Sequence, residues 1–270
     1  MAWRSVHLSR PSKLRLKDHQ LAIFQGSDTT PTIIPLEDLA CLVFDTPQIN
    51  LSGALLSACV TRGITLIIPD EKHHPAGLLL PFHQHHAQAE ILSTQIDASQ
   101  PLRKRLWQQL VMAKIKNQAT VLAECNPPDA IILRQMTRRV MSGDPENIEA
   151  QAARFYWSRL FSKFTRADPD DKRNGLLNYG YAILRSAIAR SCVASGLVPA
   201  LGVHHSSRTN AFNLVDDLIE PFRPAVDRMI YRYDPEPNTA PITLEERRLM
   251  ANILTEEVFN WHRMYDRPCG

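Results

Sequence analysis

The chain has 270 residues, of which 44% are hydrophobic and 22% charged, with a formal net charge of +3. This is the balance of a soluble globular protein long enough for two domains or one large one. The N-terminal MAWRSVHLSR has no signal-peptide core, and no run approaches the roughly 18 apolar residues of a membrane span, which excludes both classes and leads us to expect a cytoplasmic protein.

Cys41, Cys59, Cys125, Cys192 and Cys269 are scattered without a C-x-x-C pair, so reduced thiols are expected rather than a disulfide frame or a zinc knuckle. The mild positive charge neither demands nor excludes nucleic acid. It lies in the second part, where residues 97–270 hold 24 Lys+Arg against 20 Asp+Glu, much of the base as arginine, the better planar partner for phosphate.

Residues 1–82 read as a small β-rich domain containing one helix. Trp3 to Leu8 alternates, and Lys13 to Lys17 is a K-L-R-L-K alternation that turns Leu14 and Leu16 to a core and Lys13, Arg15 and Lys17 to water. Asp18-His19 is a turn, after which Gln20 to Gln25 pairs back as a hairpin. Thr32 to Leu36 and Leu39 to Asp45 are further strand patterns; Leu51 to Arg62 has helical spacing and stops at Gly63. Thr65 to Ile68 and Leu78 to Leu80 complete the strands. His73, His74, His83, His85 and His86 lie around Pro75 and Pro81 with no Cys or carboxylate at ligand spacing, which favours a polar connector over a metal centre.

Residues 83–270 read as a larger all-α domain, giving an α+β chain. Ile91 to Leu122 is an amphipathic run in which Pro101 opens a new helix. Asn126-Pro127-Pro128 signals a loop, with helices over Ile131 to Met141 and Asn147 to Leu160, the latter burying Ala150, Ala153, Tyr156, Trp157 and Leu160. The stripe Phe155, Tyr156, Trp157 is core packing before it is a base-stacking platform. Leu176 to Ala194 is a long apolar helix stopped by Gly196; Ala225 to Tyr233 follows later, and a last helix spans Leu244 to Tyr265.

Leu201 to Pro224, LGVHHSSRTNAFNLVDDLIEPFRP, holds His204, His205, Asp216, Asp217 and Glu220. Asp216 and Asp217 stand four and three residues before Glu220, which on a helix stacks like charges one turn apart and calls for a compensating cation. Pro221 ends the helix and puts Glu220 at its terminus. A divalent ion compensates such a cluster; so does a solvated helix end with Arg223 and Arg208 beside it, and spacing alone does not choose. Glu149 is an acid in the first turns of an otherwise aromatic and alanine-rich helix, and reads equally as a charge favoured by the helix dipole or as a buried functional group.

Three segments, Glu149-Ala-Gln-Ala-Ala-Arg-Phe-Tyr-Trp157, Leu177-Asn-Tyr-Gly-Tyr181, and Gly202-Val-His-His205 with Asn213 to Pro224, resemble in order and spacing the CRISPR-associated integrase. This is the metal-dependent DNA endonuclease and integrase of spacer acquisition, and the wording LVDDLIEPFRP is similar to the form accompanying type II systems. The resemblance implies a β-rich dimerisation part and a helical catalytic part. It implies an ion, Mg²⁺ or Mn²⁺, held by Glu149, His205 and Glu220, with Asp217 in reserve. It also implies transesterification in which a DNA 3′-hydroxyl attacks a phosphodiester at the CRISPR repeat boundary. The implied partners are prespacer and repeat or leader DNA, a second copy of the chain in a homodimer, and a small companion protein bridging two dimers. A longer tail than Arg267-Pro-Cys-Gly270 is expected on the same ground. Arg138, Arg139, Arg166 and Arg173 are candidate DNA-backbone contacts. A nuclease acting on branched or repair DNA without integration, or a non-catalytic DNA-binding scaffold, are the alternatives.

Overall fold

A computed structural model describes residues 4–26, 30–82, 84–236 and 239–254. Eight strands come first: β1 (Arg4–Leu8), β2 (Ser12–Lys17), β3 (Gln20–Gln25), β4 (Thr32–Pro35), β5 (Leu39–Phe44), β6 (Ile49–Leu51), then helix α1 (Gly53–Thr61), β7 (Thr65–Pro69) and β8 (Pro75–Leu79). Among the described residues eight helices follow: α2 (Gln88–Ile96), α3 (Gln100–Cys125), α4 (Pro127–Met136), α5 (Ile148–Leu160), α6 (Lys172–Ala194), α7 (Asn213–Leu218), α8 (Arg223–Tyr233) and α9 (Leu244–Ala251). The fold is therefore α+β as expected, strands first and helices after. No helix among the described residues is long and apolar enough to cross a membrane.

The strands form two four-stranded sheets, ordered β1-β5-β7-β8 and β4-β3-β2-β6. The K-L-R-L-K alternation is the antiparallel β2–β3 hairpin, pairing Leu14 with Ile23. Its two-residue turn puts Asp18 and His19 at φ 49° and 60°, the left-handed pair whose twist matches the strands. Leu14 is fully buried, with Lys13 and Arg15 exposed. The first sheet buries both faces. Leu42, Phe44 and Leu66 point into a core with Leu14, Leu21 and Leu55. Cys41, Val43 and Ile67 point the other way, into the core that holds Ile115, Tyr156, Leu177 and Val226. Strand parity alone thus welds the β part onto the helices.

Some boundaries differ from the sequence reading. Asn126-Pro127-Pro128 begins a helix instead of a loop: the Asn126 side chain accepts from Asp129 N–H and the prolines take the first helical positions, where no N–H is required. Helix α4 ends at Met136, and a 3₁₀ turn over Thr137–Arg139 follows. Helix α6 starts a turn earlier than Leu176 because Asp171 caps it. The buried stripe of α5 is Ile148, Ala152, Tyr156 and Leu160. The last helix gives way to a 3₁₀ turn at Asn252–Leu254, and its expected continuation to Tyr265 lies outside the described residues, as does His83.

Candidate active site

Helices α3 and α5 and the α7–α8 turn bring two acids and a lysine to one place. Helix α3 starts where the Ser99 side chain accepts from Leu102 N–H, with Pro101 in its first turn. In its middle it buries Lys114, Asn117 and Gln118, polar residues at i, i+3 and i+4 and so on one face. Asn117 Nδ2 donates to the Pro221 carbonyl at 2.7 Å, fixing the chain just past Glu220.

The start of α5 is held by side chains. Asn147, left-handed at φ 51°, accepts from Ala150 N–H. The Asp144 carboxylate takes the Ile148 and Glu149 N–H groups, each at 2.9 Å, satisfying donors that a helix N-terminus leaves open. Glu149 is thereby fixed in register, and its carboxylate pairs with Lys114 Nζ.

Glu220 lies in the turn between α7 and α8, 8% exposed. Its Oε1 accepts from Arg223 Nε at 2.8 Å, and its Oε2 is 2.5 Å from Lys114 Nζ. That second oxygen has no hydrogen bond of acceptable direction, so the Lys114 contact is an ion pair that leaves a buried lone pair unused. Burial works against charge at Glu220, but Lys114 and Arg223 outweigh it and hold the carboxyl below its ordinary range. Burial likewise opposes the Lys114 charge, and Glu220 and Glu149 raise its pKa in spite of it.

His205 is reached by a tight turn. Asp217, completely buried, accepts backbone N–H groups from Val203 at 2.6 Å, His204 at 2.9 Å and His205 at 3.1 Å, and the His205 ring Nδ1 at 2.6 Å. A carboxylate oxygen accepts, so Nδ1 carries the proton and Nε2 keeps its lone pair. Gly202 is required here: a Cβ would stand 2.3 Å from the His205 carbonyl and 2.9 Å from Asp217 Oδ2. His204 stacks on Trp107 of α3, centroids 4.1 Å apart at 6°, and His205 meets the same indole edge-on at 6.0 Å.

His205 and Glu220 line one open cavity of about 360 Å³ with Tyr181, Arg185 and Arg223. Glu220 also lines a second of about 160 Å³ with Lys114, Arg166, Tyr181 and Asp227. Asp216 lines the first cavity as well, held in a two-pronged pair with Arg185 at 2.6 and 3.0 Å. Beneath the second cavity Asp227 is wholly buried, accepting from Tyr156 at 3.1 Å and from Tyr181. Burial pushes it up to about 7 against those donors.

Of the residues singled out from sequence, Glu149 and Glu220 thus meet on one cationic position, and His205 opens onto the cavity that Glu220 shares. Asp217 sits behind the histidine as its orienting acid, and Asp216 lines the same cavity but pairs with Arg185 instead of Lys114. Among the described residues no three His, Cys, Asp or Glu side chains stand close enough to hold an ion as they are, and Lys114 lies between Glu149 and Glu220. The donor chemistry fits a hard divalent ion: two carboxylates already converge on positive charge, and a carboxylate-backed imidazole is adjacent. Arg223 stands beside Glu220 as the sequence allowed, whereas Lys114 and Asp227 escaped sequence reasoning; for Lys114 the K-x-x-N-Q spacing of Lys114, Asn117 and Gln118, one polar face in an apolar helix, was the available signal.

The family profile described as "CRISPR associated protein Cas1" matches residues 6–234. The "CRISPR-associated endonuclease Cas1" of Neisseria meningitidis serogroup C is 44% identical over 237 residues, covering 87% of this chain and 77% of that one. A second, from Saccharolobus solfataricus, is 30% identical over 231 residues, 80% of this chain and 70% of the relative. A solved CAS1 protein from Thermotoga maritima superposes with a TM-score of 0.72 at 19% identity, over 93% of this chain and 88% of its own. A casposase bound to integration product superposes with 0.71 at 17%, over 94% and 82%. These two show the shared fold. With the profile spanning strands, helices and the Glu149–Glu220 region alike, this chain belongs to the CRISPR-associated Cas1 family of endonucleases.

Proposed function

We propose that this chain is a metal-dependent DNA integrase that inserts short foreign DNA fragments into a CRISPR array. The observation that carries the reading is the meeting of Glu149, from helix α5, and Glu220, from the α7–α8 turn, on one cationic position beside the cavity that His205 enters. Glu149, Glu220 and His205 Nε2 would hold Mg²⁺ or Mn²⁺, which when bound supplies Lewis acidity at the phosphoryl oxygen and lowers the pKa of the attacking hydroxyl. Asp217 keeps Nε2 free by fixing the proton on Nδ1.

The reaction exchanges one phosphodiester for another. The fragment's 3′-oxygen bonds to phosphorus at the repeat boundary as the P–O3′ bond of the target strand breaks, and the proton lost by the attacker is balanced by the one gained by the released 3′-oxygen. No nucleotide is consumed and no covalent enzyme intermediate is needed. Arg166 and Arg223, both against the Tyr181 ring at 5.5 and 4.5 Å, supply positive charge at the wall of the cavity, where phosphate contacts position DNA.

Two joining events at the two ends of a fragment require two sites, which a homodimer supplies; residues 1–82 are the proposed dimerisation part and 83–270 the catalytic part. The solved relatives titled "Cas6-RT-Cas1–Cas2 complex" and "TtCas1-DNA complex" support a small companion protein and DNA as partners. The work would take place in the cytoplasm, where the array lies.

The test is strand joining of a short duplex with free 3′-hydroxyls into a supercoiled plasmid carrying a repeat, with Mg²⁺ or Mn²⁺ and the companion. Wild type joins, and Glu149→Ala, His205→Ala and Glu220→Ala do not. Joining that persists in these variants removes the site assignment. Cleavage without joining turns the reading to a nuclease for branched or repair DNA, and binding without chemistry turns it to a scaffold.

A further inference from the structure

The group at this site that the proposed chemistry leaves without a role is Lys114. Its side chain is 11% exposed, and a lysine so enclosed is retained at a cost unless its charge is matched. It is matched twice, by Glu149 and by Glu220 Oε2 at 2.5 Å. The two acids are unequal in what else they have. Glu220 keeps Arg223 at 2.8 Å. Glu149 has no other ion pair among the described residues, and its backbone is fixed by the Asp144 carboxylate. Helix α3 is also tied to the Glu220 turn through Asn117 and the Pro221 carbonyl, so one rigid helix sets both the backbone and the side-chain position of that acid.

We propose that Lys114 is a positioning residue of this site. Its ammonium clamps Glu149 to Glu220, and it sets the affinity for a divalent ion by competing for the same oxygens. The proposal rests on the ion-binding role given above to Glu149, Glu220 and His205. The clamp and the competition have opposite signs in two measurements. Without the ammonium, two carboxylates, one on α5 and one in the α7–α8 turn, face each other and the ion-free protein is weaker. The same oxygens are then fully available to a divalent cation, which binds more tightly. A lysine that only packs its methylenes would weaken folding and leave ion affinity alone.

The experiment compares wild type with Lys114→Met on the full chain, by thermal melting and by Mn²⁺ binding followed by electron paramagnetic resonance. In chelator, Lys114→Met melts lower by about 5–10 °C, the scale of breaking a buried pair. Its Mn²⁺ dissociation constant falls about tenfold, one factor of ten per 1.4 kcal/mol of lost competition, and saturating Mn²⁺ recovers most of the melting loss by mass action. Unchanged Mn²⁺ affinity, or a melting loss that Mn²⁺ does not recover, overturns the proposal. Should Lys114→Met not fold alone, Lys114→Met/Glu149→Gln leaves no uncompensated acid opposite the methionine. It is then expected to fold and to melt close to Glu149→Gln; a double variant that also fails to fold overturns the clamp. If wild type binds no Mn²⁺ the ion reading falls and with it the competition, while the cycle between Lys114 and Glu149 in chelator still decides the clamp.

Discussion

Asp217 holds His205 by both backbone and ring: the same buried carboxylate that takes the His205 amide at 3.1 Å takes its Nδ1 at 2.6 Å. One side chain therefore fixes where the histidine stands, how its ring is turned and which nitrogen is free. Asp217→Asn offers an amide nitrogen where acceptors are needed, and we expect strand joining to fall about 10- to 100-fold, the usual effect of removing the acid behind a ligating histidine. Asp216→Asn disturbs the Arg185 pair and the Asn210 bond, not the histidine, and should cost less. A joining assay on both variants reads the order directly; the reverse order contradicts the orienting role.

Asp227 makes stability depend on pH. Its carboxyl is raised from 3.8 to about 7 by burial, so the folded chain holds this proton more tightly than the unfolded one. The stability it contributes is complete below the unfolded value and is lost as pH rises through about 7. Asp227→Asn stays neutral throughout. The melting temperature of wild type minus that of the variant is expected to fall between pH 4 and pH 7.5, and a difference that stays flat across that range contradicts the assignment.

Arginines separate by burial. Arg138 is exposed, and Arg138→Ala should reduce the slope of log affinity for DNA against log salt by about 0.9, one phosphate contact. Arg173 is 5% exposed, bound to Asp171 and set against the rings of Phe161 and Phe164. Arg173→Ala is expected to lower the melting temperature without changing the salt slope, measured by filter binding or anisotropy at several salt concentrations. Its burial removes it from the DNA-facing set that its position in an arginine-rich region suggested.

A control lies far from the acids. The Thr243 hydroxyl accepts from Glu246 N–H while the Glu246 carboxylate accepts from Thr243 N–H, closing the start of α9. Thr243→Ala should cost about 1 kcal/mol, or roughly 2–4 °C of melting temperature, with joining activity unchanged at a temperature where the variant is folded.

The β2–β3 hairpin and the helices α3, α5 and α6 were legible because their signals are local: alternation in K-L-R-L-K, prolines and caps at helix starts, Gly196 at a stop. Glu149 was not legible by itself, since an acid in a first helical turn reads the same whether it faces water or a partner on another helix. Resemblance raised it, and the contact with Lys114 gives it a physical setting. Lys114 was invisible for the complementary reason. A lysine in an amphipathic helix is taken to face water, and only the packing of α5 and the α7–α8 turn on α3 encloses it. Asp217 shows the same limit: spacing made it one of several stacked acids, whereas its four acceptor bonds come from a loop whose path no spacing rule gives.

The bond from Asn117 to the Pro221 carbonyl joins residues 104 apart in the chain, and the Lys114–Glu149 pair spans a further 35. Such a centre closes late in folding, since contacts of high sequence separation form after local ones. During synthesis α3 and α5 leave the ribosome well before the turn that carries Glu220. The half-made polypeptide thus holds its acids apart, and the site is complete only when α3, α5 and the α7–α8 turn have docked.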